Sequence, residues 1–270
     1  MGNAESRPRW ALILGASSGF GAATARALAA DGVNIFGVHL DRRSTMPGVR
    51  DLIAELESAG VGVQFFNSNA ADAGKRATVI EAMGEQLARD GGTLTVLLHS
   101  LAFGTLVPFV DDPRTEPGKT LTQRQMEMTL DVMAHSLVYW TQDVVAAGLM
   151  EQGARVFAMT SSGARLISPS YGAVSAAKSA LESHCRQLAY ELLPRGIAVN
   201  SICAGVTDTA ALRKIPGHEL LIAKSVAKSP LDRLTTPEDV GGAIAALCDP
   251  RLGWMTGNVL GIHGGEDIIG

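Results

Sequence analysis

The chain is poor in cysteine, in aromatic residues and in an excess of either charge. Three cysteines in 270 residues, Cys185, Cys203 and Cys248, supply neither a disulfide framework nor the paired spacing of a metal site. A reduced, cytoplasmic setting is therefore expected. His184, His218 and His263 also lack metal-ligand spacing, and no metal is expected. Lysine plus arginine number 23 against 27 aspartate plus glutamate, a net charge of -4. That balance gives no reason to expect a nucleic-acid partner. No apolar run reaches the length of a membrane span, and none precedes Ala11 as the core of a signal peptide. Gly2 and Ser6 superficially fit a myristoylation pattern, but a frayed polar tail over residues 1–9 is the expectation. With 19% charged and 46% hydrophobic residues, the composition excludes a disordered chain and supplies a large core.

What the chain does have is glycine, 30 residues of it, which suggests many tight turns beside strands. Residues 10–30 organise the rest. Ala11-Leu12-Ile13-Leu14 is an apolar strand, Gly15-Ala16-Ser17-Ser18-Gly19-Phe20-Gly21 a turn, and the alanine-rich run to Ala30 a helix. Glycine permits a tight turn and close approach of a ligand to the backbone. The free amides at the helix start favour a phosphate or pyrophosphate. The spacing is Gly-x3-Gly-x-Gly, not the commoner Gly-x-Gly-x2-Gly.

Downstream, strands are expected over 32–40, 61–66, 94–98, 155–159, 197–202 and 259–262. Helices are expected over 49–59, from 72 to about 89, from 122 to about 150, over 171–193, and from 236 to about 249. Asp72 is an expected cap, Thr122 and Gln125 an expected capping box, and Thr236-Pro237-Glu238-Asp239 an expected helix start. Residues 108–119 read as a surface loop, and 206–229 as an irregular lid over a site. The alternation of short apolar strands with helices implies one α/β domain over residues 1–270, a Rossmann-like doubly wound parallel sheet with helices on both faces. Ligands then belong at the carboxyl ends of the strands.

Tyr171 and Lys178 stand seven residues apart on one expected helix, nearly two turns, so both side chains start from nearly the same face. A tyrosine can give a proton to a substrate oxygen, and a nearby ammonium can lower its pKa. The lysine could also hold a nucleotide ribose, and a link through the ribose hydroxyls is easier than direct contact. Val174, Ala177, Leu181, Cys185, Leu188 and Leu192 form the apolar side of that helix, which makes Cys185 a core residue. Ala173, Ala176 and Ala180 are small enough for a contact with a second subunit.

These residues resemble the short-chain dehydrogenase/reductase superfamily. Gly15, Gly19 and Gly21 match its cofactor loop, and Asn69-Ala70-Ala71-Asp72 resembles its adenine-side segment with Asn69 in place of an acid. Ser161 or Ser162 falls at its active-site serine. Ala204-Gly205-Val206-Thr207-Asp208-Thr209 resembles its nicotinamide-side segment, with Ala204 in place of the usual proline. Within the superfamily, three departures point one way. Tyr171 and Lys178 make Tyr-x6-Lys, with Val174 where a tyrosine is usual. Leu98-His99-Ser100-Leu101-Ala102-Phe103 resembles the His-Ser-x-Ala/Gly-Phe segment of enoyl-acyl-carrier-protein reductases. Met133 stands where ordinary members place a relay asparagine. The form of residues 171–178 is closer to the NADPH-using, single-tyrosine branch.

The resemblance implies hydride transfer to the β-carbon of a trans-2-enoyl thioester, on acyl carrier protein or coenzyme A. Tyr171 would steady the enolate oxygen, Lys178 would bind ribose and add positive potential, and Ser161 would be the third catalytic group. The implied cofactor contacts are Gly15, Ser17, Ser18, Gly19, Phe20 and Gly21 in the loop, Asn69 and Ala70, then His99, Ser100 and Leu101, and finally Gly205, Val206, Thr207 and Thr209. Arg42 and Arg43 could hold a 2′-phosphate through their forked donors, so NADPH is the expected cofactor and NADH the alternative. Phe103, Leu212 and Ile215 are expected along the acyl chain beside Tyr171. Lys214, Lys224 and Lys228 could meet an acidic carrier. A homodimer or homotetramer is expected. Rival readings are a carbonyl or 3-oxoacyl reductase, which Val174 and Met133 disfavour, and a non-catalytic dinucleotide-binding protein.

Overall fold

A computed structural model describes residues 7–111 and 118–269. The myristoylation pattern and part of the loop expected over 108–119 lie outside the described residues. Strands and helices alternate: β1 (Arg9–Leu14), α1 (Gly19–Ala30), β2 (Asn34–His39), α2 (Met46–Ser58), β3 (Val63–Asn67), α3 (Ala73–Asp90) and β4 (Thr93–His99). The second half carries α4 (Gln123–Leu130), α5 (Ser136–Ala146), β5 (Met150–Ser161), α6 (Gly172–Leu192), β6 (Ala198–Ala204), α7 (His218–Lys228), α8 (Pro237–Leu247) and β7 (Val259–Ile262).

All seven strands join one parallel sheet in the order β3-β2-β1-β4-β5-β6-β7. Alternation along the strands splits the core into two layers. Leu12, Leu14, Phe36, Leu97, Val156 and Ala158 meet α3, α5 and α6. Ala11, Ile13, Ile35, Leu98, Phe157 and Met159 meet α1, α2 and α8. Because both faces are covered, the central strands are apolar almost throughout rather than alternating. The chain leaves β1 toward β2 on one side and returns to β4 on the other. Leu14 thus pairs with Val38 and with His99, and a crevice opens at that switch point.

The expected caps are in place. Asp72 accepts from the Lys75 amide at 2.9 Å, and capping boxes form at Thr122 with Gln125 and at Thr236 with Asp239. Two expectations need correction. The helix expected from 122 to 150 is interrupted by a π turn over Asp131–His135 and ends at Ala146. Thr129 and Ser136 hydroxyls donate back to the carbonyls four residues earlier, Gln125 and Val132, each at 2.8 Å, and such back-bonding bends helices. The stretch 206–229 is also more ordered than expected, since it contains α7 and a 3-10 turn over Leu212–Lys214. On α6, Ala173 is wholly buried within the chain, while Ala176 and Ala180 are half-buried. Ala173 therefore adds nothing to a subunit surface.

Candidate active site

The phosphate loop is built by contact rather than by side-chain chemistry. The Gly15 and Ala16 amides both donate to the Val38 carbonyl, at 2.8 and 3.1 Å. Gly15 has φ +89°, and a β-carbon there would run into the Ser100 carbonyl; one on Gly21 would run into the Gly15 carbonyl. The turn is thus pressed against the exit of β4. Ser18 caps α1 in extended conformation and makes no side-chain cap bond, so the first-turn amides have no side-chain acceptor from that residue. A pyrophosphate fits such a bare helix start. Ser17, Gly19 and Phe20 are partly accessible in the same turn.

The segment expected on the nicotinamide side lies across this loop. A β-carbon built on Gly19 would sit 3.6 Å from the Thr209 methyl. Gly205 donates to Ile262 O at 3.0 Å, and the buried Thr207 hydroxyl donates to Gly205 O at 3.0 Å. The Val206 amide donates to Glu266 Oε1 at 2.7 Å. Glu266 is buried, and burial pushes its carboxyl up despite that bond. Sequence reasoning missed Glu266, because a lone acid four residues from the end carries no motif. Asn69 is exposed, its amide oxygen accepting from Ala71 N at 3.1 Å, and the Ala70 carbonyl accepts from the Trp140 indole at 2.8 Å.

At the end of β2, Asp41 faces the phosphate loop. Partial burial works to raise its carboxyl, but hydrogen bonds from Ser17, Thr45 and His39 outweigh this and hold it below the usual range. His39 Nδ1 lies 2.9 Å from Asp41 Oδ2. Arg42 and Arg43 are exposed, and their guanidiniums make no hydrogen bond or ion pair among the described residues. The fixed charge beside the loop is negative.

Across the crevice, Tyr171 caps α6, and its ring packs against Gly163 together with Ser161: a β-carbon on Gly163 would lie 2.6 Å from the ring and 3.2 Å from Ser161 Oγ. Burial raises the Tyr171 pKa, and the Ser161 hydroxyl opposes that rise. Ser161 Oγ itself is buried and is not aligned in any hydrogen bond. The Lys178 ammonium, also buried, donates to Met159 O at 2.6 Å. Burial brings its pKa down to about 8, against the opposing pull of Cys185 and Glu182. The expectation that the ammonium lowers the Tyr171 pKa is corrected: the lysine is not among the groups acting on the phenol, whose pKa rises.

His99 is also corrected. It is wholly buried, with Nε2 2.8 Å from Ser136 Oγ, so its imidazole does not line the cleft. Ser100 and Leu101 remain partly accessible there. Val174, one turn into α6, is buried, and a β-carbon on Gly104 would lie 2.6 Å from it and 3.0 Å from Met133 Sδ. That site is apolar and closed. Leu212 is buried, Ile215 half-buried, and Phe103 exposed. Phe109, which carries no motif, lays its ring over Gly172 beside the tyrosine. Among the described residues no cluster of three metal-ligating side chains occurs, and no helix is long and apolar enough to cross a membrane.

Known proteins are similar to this chain in sequence and in fold. The enoyl-[acyl-carrier-protein] reductase [NADH] FabI of Aquifex aeolicus is 30% identical over 193 residues, covering 71% of this chain and 68% of that protein. The chloroplastic enoyl-[acyl-carrier-protein] reductase [NADH] 2 of rice is 28% identical over 295 residues, covering 98% of this chain and 77% of its own. The putative ketoacyl reductase of the monensin polyketide synthase from Streptomyces virginiae is 29% identical over 281 residues, covering 97% and 98%. Among solved structures, the Aquifex aeolicus enoyl reductase superposes with a TM-score of 0.80 at 24% identity, covering 98% of both chains. These enoyl reductases are NADH enzymes, which overturns the expectation of NADPH. The physical reason lies at β2, where an ionised Asp41 stands beside the loop and both arginines point to solvent. A family description, enoyl-(acyl carrier protein) reductase, matches residues 15–266, and the chain belongs to that family.

Proposed function

We propose that this chain reduces the carbon–carbon double bond of a trans-2-enoyl thioester, with NADH as hydride donor. The observation that carries the reading is the position of the phenol. Residue 174, four before Lys178, is a buried valine, and the hydroxyl is moved nearly one turn toward the helix mouth, to Tyr171. In an enoyl thioester the hydride lands on the β-carbon while charge collects on the thioester oxygen. That oxygen lies farther from the hydride than in simple ketone reduction, and a donor displaced by a turn matches it.

The glycine loop, the open start of α1 and Asp41 would hold the dinucleotide: amides toward the pyrophosphate, carboxylate toward the ribose hydroxyls. When bound, the nicotinamide supplies the hydride. Tyr171 stays a neutral phenol at ordinary pH, since burial raises its pKa, and so remains a hydrogen-bond donor. Ser161 Oγ, buried beside the phenol, would donate a second hydrogen bond to the same oxygen. Donors fixed in advance in a partly dry site reward the charge that develops there. Lys178 adds positive potential from below. The exposed Phe103 and Phe109 give an acyl chain apolar surface at the mouth, with Ile215 on the facing segment. The segment 206–229 covers the site as a lid, and its exposed Lys214 and Lys224 suit an acidic carrier protein.

The test is oxidation of NADH with crotonyl, longer enoyl and 3-oxoacyl thioesters, for wild type and Tyr171→Phe. Enoyl reduction that disappears in the variant while NADH binding persists is the expected result. Ketone reduction without enoyl reduction overturns the proposal.

A further inference from the structure

Two hydrogen-bonding groups under the crevice are left unfinished. His99 ends β4 with a fully buried imidazole. Its Nε2 meets Ser136 Oγ at 2.8 Å, and that hydroxyl gives its single proton to the Val132 carbonyl, also at 2.8 Å. With the Ser136 proton assigned to the Val132 carbonyl, Ser136 accepts from the ring, Nε2 carries the proton and Nδ1 is the acceptor. Nδ1 is buried and has no partner. Lys178 has the complementary deficit. An ammonium has three donors, and the side-chain bond it makes among the described residues is the one to Met159 O. His99 pairs in register with Ala158, the neighbour of Met159, so the two deficits share one level of the sheet.

We propose that His99 is a positioning residue for Lys178: Nδ1 is linked to an N–H of the ammonium through one buried water. A chain of donors then runs from Lys178 to His99, to Ser136 and to the carbonyl of Val132. It ties the lysine to the π turn over Asp131–His135. The imidazole suits this task because burial, and secondarily the ammonium itself, keep it neutral, with its pKa down to about 3 against the opposing pull of the His99 and Val132 carbonyls. The titratable groups around the lysine are few. Glu182 and Cys185 act from its own helix, and His99 faces it from β4. β5 offers the Met159 carbonyl, and His135 of the π turn is engaged with His184 at 3.0 Å. Losing the acceptor lowers the lysine pKa further, since an acceptor favours the charged form of a cation.

The experiment has two arms. In cofactor-free protein, the imidazole nitrogen resonances of His99 report the Nε2–H tautomer and whether Nδ1 accepts a hydrogen bond; Lys178→Met should return Nδ1 to the free-acceptor position. An unchanged Nδ1 resonance overturns the proposal whether or not the enoyl-reductase reading stands. The kinetic arm rests on that reading. His99→Gln keeps a donor for Ser136 and loses the Nδ1 acceptor, while His99→Asn keeps an acceptor near Nδ1 and gives up Ser136. His99→Gln should lower the basic limb of the kcat profile by about one pH unit with KM for NADH unchanged, and His99→Asn should leave that limb in place. Equal losses in both variants, tracking their melting temperatures, would reduce His99 to a structural role and overturn the assignment.

Discussion

Tyr171 and Lys178 start from nearly the same face of α6, yet the ammonium turns inward to the Met159 carbonyl at 2.6 Å and leaves the phenol to Ser161. The two groups are thus separate, a neutral phenol at the mouth and a buried charge beneath it.

Removing the phenolic hydroxyl should therefore separate chemistry from binding. Tyr171→Phe is expected to lower kcat by about 10²–10³-fold, the usual loss for one preorganised donor at a developing oxyanion. NADH affinity, read by fluorescence titration, should be unchanged. Ser161→Ala should lower kcat less, since Tyr171 remains.

Lys178 gives a pH signature of two opposite signs. Its pKa near 8 means that the ammonium is lost as pH rises through 8, and activity should fall with it. In the unfolded chain the same lysine titrates near 10.5, so between these values the unfolded state binds the extra proton. Below pH 8 the folded chain bears the full cost of a buried ammonium, and that cost is relieved as pH rises toward 10.5. Thermal melts of wild type and Lys178→Met from pH 7 to 10.5 should show the difference moving in favour of wild type as pH rises.

Asp41 is the residue expected to select the cofactor. Asp41→Ala removes an ionised acceptor held by Ser17, Thr45 and His39. It should raise KM for NADH by about 10-fold or more, the worth of a charged hydrogen bond, with a smaller effect on kcat. Steady-state titration of NADH at saturating enoyl thioester checks this.

Gly21→Ala tests the loop as a packed object. Its new methyl would meet the Gly15 carbonyl, backbone that cannot swing away. Overpacking of this kind costs about 1–3 kcal/mol, so calorimetry should show a melting temperature lower by about 5 °C. NADH binding should weaken in parallel, because the loop must shift to admit the methyl.

Much of the fold is legible in the sequence. Apolar strands of fixed length, glycine at the turn after β1, and the caps at Asp72, Thr122 and Thr236 are local signals, and local physics decides them. The π turn was not legible. Thr129 and Ser136 are ordinary helix residues until their hydroxyls choose the carbonyls behind them. The cofactor choice failed for a similar reason: Arg42, Arg43 and Asp41 sit side by side in sequence, and only the fold shows which side chain turns toward the loop.

By itself, then, the sequence determined the alternation of elements, the parallel sheet, the phosphate turn and the displaced tyrosine, because each follows from neighbours within a few residues. Tertiary structure alone decided which charges face the crevice and which partners the buried groups find. Asp41 toward Ser17, His99 toward Ser136 and Glu266 beneath Val206 join residues 24, 37 and 60 positions apart. Whether such a group is ionised, neutral or spent on a hydrogen bond depends on desolvation by strands and helices that the linear order does not place beside it.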